Sequence, residues 1–148
     1  MTRAFPLQSL LDLSQLRLDE AGRKLGELIA GELEASQRHG LLVTYREEYQ
    51  VRFLAAAQGG LSPGEWQNYT GFLAKLDEAI AQADSAMTHT KQQTAAGQQE
   101  WMAKRGRVKA FDTLSDRHLS RQAYQDQRQE QKASDEHAAR RHEEKEKD

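Results

Sequence analysis

Gly59-Gly60-Leu61-Ser62-Pro63-Gly64-Glu65 is the one stretch of this chain in which backbone breakers gather, with three of the ten glycines and one of the two prolines. A glycine there can take the left-handed conformation that closes a helix C-terminus. Ser62 to Glu65 then reads as the start of a second helix. Ser62 serves as N-cap, Pro63 stands at the first helical position, and Glu65 completes a capping box.

The flanks carry the period that this corner demands. Upstream, Leu7, Leu11, Leu18, Ala21, Leu25, Leu28, Ala35, Leu42 and Tyr49 recur at intervals of three, four and seven. They predict one helix over about 6–57, roughly 75 Å long at the helical rise. Downstream, Tyr69, Leu73, Leu76, Ile80, Ala83, Met87, Thr90, Thr94, Gly97, Trp101, Lys104, Val108 and Phe111 alternate steps of four and three, the coiled-coil period. The second helix is therefore expected over about 65–118. Thr90, Thr94, Gly97 and Lys104 weaken this seam, so loose packing is expected midway. No segment alternates at period two, so no strand is expected. Two one-faced helices joined by a turn at 58–64 bury their stripes by folding back on each other. The fold predicted is all-α, an antiparallel coiled-coil hairpin in one domain over 1–148, with both chain termini far from the turn.

Composition agrees with thin helices. Charged residues make up 30% and apolar residues 37% of the chain, and the mean hydropathy is -0.89, too polar for a thick core. Residues 119–148 hold seven Lys/Arg and eight Asp/Glu. This tail either extends the second helix through surface charge pairs or frays when free. The absence of cysteine removes disulfides and thiolate-bound zinc, and fits a reducing compartment. The longest apolar run, Phe53 to Ala57, is far short of a membrane span, which needs ~20 residues. A formal charge of -2 gives no general drive toward nucleic acid or an anionic membrane. Membrane association is expected only through a partner, with no direct insertion.

Catalysis and cofactors are not expected. The phosphate-binding and nucleophile-elbow glycine motifs are absent. Carboxylates such as Glu47/Glu48 and Asp135/Glu136 are adjacent in sequence and diverge by about 100° on a helix. His137 and His142 are five apart, whereas helical metal ligands stand three or four apart. No metal is expected. Lys104-Arg105-Gly106-Arg107-Val108-Lys109 is the one dense basic patch. It reads as a solvated face or a contact to an acidic protein in preference to nucleic acid.

One constellation suggests binding. Arg38, Leu42, Tyr45 and Tyr49 form a stripe on the first helix, and Phe72, Leu76, Ala79 and Ala83 form another on the second. On period alone the two stripes either pack on each other as core or present anchors to a partner. Phe72 and Ala79 fall beside the second helix's seam, and clustered exposed rings are good anchors.

Tyr45-Arg46-Glu47-Glu48-Tyr49 before the turn and Trp66-Gln67-Asn68-Tyr69, Phe72, Leu76 and Ala79-Ile80 after it resemble the FliJ family of flagellar type III export proteins. Leu10-Leu11-Asp12-Leu13, Ala21, Leu25-Gly26-Glu27, Thr113-Leu114, Asp116-Arg117, Gln131-Lys132 and Asp135-Glu136 extend the likeness over nearly the whole chain. The resemblance implies an antiparallel coiled coil similar to the central stalk of rotary ATPases. It implies insertion into the hexameric ring of the export ATPase FliI. Binding to the cytoplasmic domain of the export gate protein FlhA and to export chaperones is implied too. It also implies a cytoplasmic location, at the cytoplasmic face of the inner membrane through the export apparatus. The gate-binding surface that it implies falls on Arg38, Leu42, Tyr45, Tyr49, Phe72, Leu76, Ala79 and Ala83. Arg38 and Ala83 depart from the family pattern, which has an uncharged polar residue and a histidine there. Ring contact is carried over to Leu10, Leu13, Gln131, Lys132, Asp135, Glu136 and Arg140.

Overall fold

The computed structural model describes residues 4–147. Two helices make up almost all of it: α1, Gln8–Gln58, and α2, Pro63–Glu146. No strand occurs among the described residues, and none of the helices is long and apolar enough to cross a membrane. The fold is all-α, built from two long helices packed on each other.

Between them the backbone reverses as the breakers require. Gly60 holds φ at +87°, and its N–H donates to the Ala57 carbonyl at 3.1 Å, closing α1. Ser62 Oγ accepts from the Glu65 N–H at 3.2 Å, and the Ser62 carbonyl accepts from the Trp66 N–H at 3.0 Å. That is the serine half of a capping box, with Pro63 at the first helical position, where its missing N–H costs nothing. At its other end α2 runs to Glu146 without interruption. After Gly106 the sequence contains neither glycine nor proline. Side-chain links one turn apart, such as Gln131 to Asp135 at 3.2 Å and His142 to Glu146 at 3.3 Å, line the exposed surface.

Contacts divide the chain into two compact units, Met1–Asp19 with Ala103–Asp148, and Glu20–Met102. The second is a helical hairpin by itself. Its least exposed residues follow the three-four alternation on both helices, and the register holds from end to end. Arg46 pairs with Asp77, His39 Nε2 lies 3.9 Å from Asp84, Thr94 Oγ1 lies 3.3 Å from the Leu28 carbonyl and 3.0 Å from that of Thr90, and Trp101 lies over Gly22. The core is one layer thick, so only Leu76 and Ala83 are buried here, and each keeps 7% of its surface exposed.

Midway along this seam a groove of about 250 Å³ stays open beside Ala21, Leu28, Ala96 and Gly97, while at Gly97 itself the contact is close. A Cβ built there would lie 2.6 Å from Leu28 Cδ1, so the leucine occupies the space that a side chain would take. The missing side chain lets α1 fill the seam. Gly97→Ala is expected to change stability by less than about 1 kcal/mol, because gained helix propensity offsets the displacement of a mobile leucine tip. Gly97→Leu should destabilise by about 1–3 kcal/mol through overpacking. Urea unfolding followed by circular dichroism measures both.

The other unit pairs residues before Asp19 with the stretch of α2 after Ala103. Val108 is buried, and the Phe5 ring lies 5.7 Å from His118. Ser14 is also buried, its hydroxyl donating to the Leu10 carbonyl at 2.7 Å, so a polar residue occupies the seam without leaving an unmet group. Residues 123–147 are exposed throughout.

Candidate partner-binding edge

Six of the chain's ten aromatic residues meet in the hairpin unit next to the turn. Tyr45, Tyr49 and Phe53 come from α1 at steps of four, and Trp66, Tyr69 and Phe72 from α2 at steps of three. The rings form a continuous chain. Tyr45 meets Phe72 edge-on at 6.1 Å, Phe72 meets Tyr49 at 4.5 Å, and Tyr49 meets Tyr69 at 5.4 Å. Tyr69 meets Phe53 at 5.4 Å, and Phe53 meets Trp66 at 5.1 Å. Tilted and edge contacts at these separations suit the ring quadrupoles.

Position relative to the seam gives these rings two roles. Tyr49 continues the three-four alternation and lies between the helices, touching Tyr45, Tyr69 and Phe72. Tyr45 stands one row outside and is 43% exposed. Phe72 holds the matching row on α2 and is half-buried. The same division runs through all eight stripe residues. Leu42, Tyr49, Leu76 and Ala83 belong to the seam, while Arg38, Tyr45, Phe72 and Ala79 form its lip. Leu76 and Ala83 are buried, so they support this edge from beneath and present little surface of their own.

Beside the rings the lip opens into a shallow groove of about 450 Å³, lined in part by Arg38, Leu42, Ala79 and Ala83. Gly31, Ala35 and Ala86 complete its floor, with Glu34 and Gln82 at the rim. Alanine and glycine at these rows leave the backbones uncovered and make the depression. The structure thus brings the eight residues singled out in the sequence onto one edge. Its chemistry is apolar contact flanked by phenol hydroxyls, the Arg38 guanidinium and the Glu34 carboxylate, suited to an apolar peptide segment. Among the described residues no group of three His, Asp or Glu side chains could hold a metal ion.

Sequence reasoning passed over Phe53 and Trp66 as members of this cluster. The signal was present: Phe53 extends Tyr45 and Tyr49 by one more step of four. Arg46 was passed over as well. It falls on the seam row, where its aliphatic stem is covered while its guanidinium binds Asp77 and donates to Gln50 at 2.9 Å. The hydrogen bond with Asp77 raises the Arg46 pKa, desolvation opposes this, and Coulombic attraction to Asp77 adds to it.

The residues carried over for ring contact do not form one patch. Leu10 and Leu13 are exposed on the first turns of α1, in the stretch where the helices pair. Gln131, Lys132, Asp135, Glu136 and Arg140 are all exposed on the unpaired part of α2. Gln131 alone is thirteen residues past His118, the ring facing Phe5, or about 20 Å along the helix.

A family model described as "Flagellar FliJ protein" matches residues 3–147. A flagellar FliJ protein of Salmonella typhi is 31% identical over 134 residues, which cover 90% of this chain and 91% of that protein. One of Escherichia coli (strain K12) is 29% identical over 134 residues, with the same coverage.

Proposed function

This chain belongs to the flagellar FliJ family, and from that membership we propose that it is a stalk-like coupling component of flagellar export. A role in flagellar export follows from the family itself, and the family is not one of enzymes. In the finer reading, the chain promotes assembly and activity of the hexameric export ATPase FliI. It couples that ring to the cytoplasmic domain of the export gate protein FlhA, and it handles export chaperones. Its place is then the cytoplasmic face of the inner membrane, held there by the export apparatus.

The observation that carries this reading is the aromatic edge. Tyr45, Phe72 and Ala79 line one accessible lip, backed by Tyr49 and Leu76 and continued by the groove at Arg38, Leu42 and Ala83. Rings held by neighbouring rings are preorganised, so a partner that covers them meets little loss of side-chain freedom. This edge is assigned to the gate. The exposed α2 extension, with Gln131, Lys132, Asp135, Glu136 and Arg140, is assigned to the ATPase ring together with Leu10 and Leu13. Its mixed charges suit contact with several subunits without fixing it to one.

The test is made with the full chain and the purified ATPase. Addition of the chain is expected to raise both the hexamer fraction and the rate of ATP hydrolysis. No change in either, with the chain folded by circular dichroism, would reduce the reading to a coiled-coil oligomerisation or chaperone protein without an ATPase partner.

A further inference from the structure

We propose that one edge of the unit formed by residues 1–19 and 103–148 is an adsorption surface for anionic lipid bilayers. Its centre is a row on α2 at steps of three and four: Arg107, Ala110, Leu114, Arg117, Arg121, Tyr124 and Arg128. All are exposed, and at the helical rise the row is about 32 Å long. The row immediately outside it, Gly106, Thr113, Ser120 and Gln127, contains no carboxylate either. Asp112, Asp116, Asp126 and Glu130 of the same stretch all fall on other rows.

A matching row on α1 completes the edge. Pro6, Leu10, Leu13 and Arg17 follow steps of four, three and four. Pro6 lines a common groove with Leu114, Arg117 and Arg121, which sets the two rows on the same side of this unit. Leu10, Leu13 and the neighbouring Leu16 are each exposed by two-fifths or more, with Leu16 at 59%. Apolar side chains that large, interleaved with guanidinium groups, match the pattern of a helix lying in a bilayer interface, and the carboxylates of Asp12 and Glu20, one turn either side of Leu16, mark its border on α1.

Arg17, Arg107, Arg117, Arg121 and Arg128 form no ion pair among the described residues. Arg117 and Arg121 stand one turn apart, where like charges repel. Arg128 rests over the Tyr124 ring at 5.9 Å, a pair suited to the headgroup level. The net charge of -2 averages this edge with acidic residues elsewhere and conceals it. Two features favour a lipid surface over a protein or nucleic acid. The row runs on along α2 past the stretch that is paired, where every residue is exposed, and the edge carries leucines that a phosphate backbone would leave wet.

Leu10 and Leu13 serve both this edge and the ring contact proposed above, so a chain lying on lipid is withheld from the ring. Vesicle binding is measured without the ATPase, and either reading can therefore fail alone. The full chain is sedimented with large vesicles of phosphatidylcholine, with and without phosphatidylglycerol. Binding is expected only to the anionic vesicles and should weaken as salt rises. Arg117→Gln with Arg121→Gln should reduce it about tenfold or more, and Leu13→Ser with Leu16→Ser should also reduce it. Lys75→Gln with Lys91→Gln removes equal charge from the hairpin unit and should leave binding unchanged. Equal loss in that control, equal binding to neutral vesicles, or no binding to either would overturn the proposal. Tighter binding to duplex DNA at the same salt would assign the row to nucleic acid instead.

Discussion

Tyr49→Ala is expected to lower the unfolding free energy by about 3 kcal/mol, while Tyr45→Ala costs less than about 1 kcal/mol. One turn separates the two tyrosines, yet their surroundings differ. Tyr49 touches three other rings, and its truncation opens a gap in a core one layer thick, with no second layer to fill it. Tyr45 is 43% exposed and meets Phe72 by an edge. Removing it uncovers Phe72 without breaching the seam. Binding should show the reverse contrast when scaled to folded protein. Tyr45→Ala should weaken titrated affinity for the cytoplasmic domain of the gate protein by about 2 kcal/mol, roughly thirtyfold, as for a central aromatic anchor. Tyr49→Ala, studied well below its unfolding midpoint, should weaken it less. Should Tyr45→Ala melt the chain as Tyr49→Ala does, the lip would be core. If it folds and still binds fully, the partner docks elsewhere.

The same pair of residues marks how far the sequence could be read. The corner was legible because Gly60, Ser62 and Pro63 each have one local use, and the structure puts each of them to it. The seam of α2 was legible because apolar residues mark nine of its thirteen steps and the other four keep the same period. On α1, the same rule applied only to apolar residues skipped Ser14, His39 and Arg46, although all three continue the alternation. Each is tolerated because its polar atoms reach a carbonyl, a facing carboxylate or the rim of the seam. The period also merged Tyr45 with Tyr49, since steps of four and the seam's alternation coincide for one turn and then diverge. Deciding core against lip required both helices, because the partner's rows determine which side of a half-buried ring is covered. Gly97 was only partly legible for a related reason. A glycine reads as a gap until the facing leucine is placed in it. The arginine row was hidden by composition, which reports a balance of charge and says nothing of its distribution over rows.

Ending the chain at Gln122 should reduce stimulation of the export ATPase to background and leave the denaturant midpoint of the remaining helices unchanged. Residues 123–147 bury nothing in their own unit, so their removal takes no side chain from a seam. Their helix is sustained by local links such as Gln131 to Asp135 and His142 to Glu146, each worth a few tenths of a kcal/mol. Such a helix is marginal in water unless something covers it. The intact chain should therefore lose part of its helical signal early on heating, before the paired helices unfold. The truncated chain should lack that early phase and show the main transition alone. A partner that holds the extension should abolish the phase as well, because binding to the ordered form supplies the stabilisation that the lone helix lacks. A chain ending at Gln122 that still stimulates the ring fully would place the contact outside Gln131 to Arg140, leaving Leu10 and Leu13 to account for it. If the paired helices melt earlier without the extension, the segment contributes to the fold in a way that its exposure does not reveal.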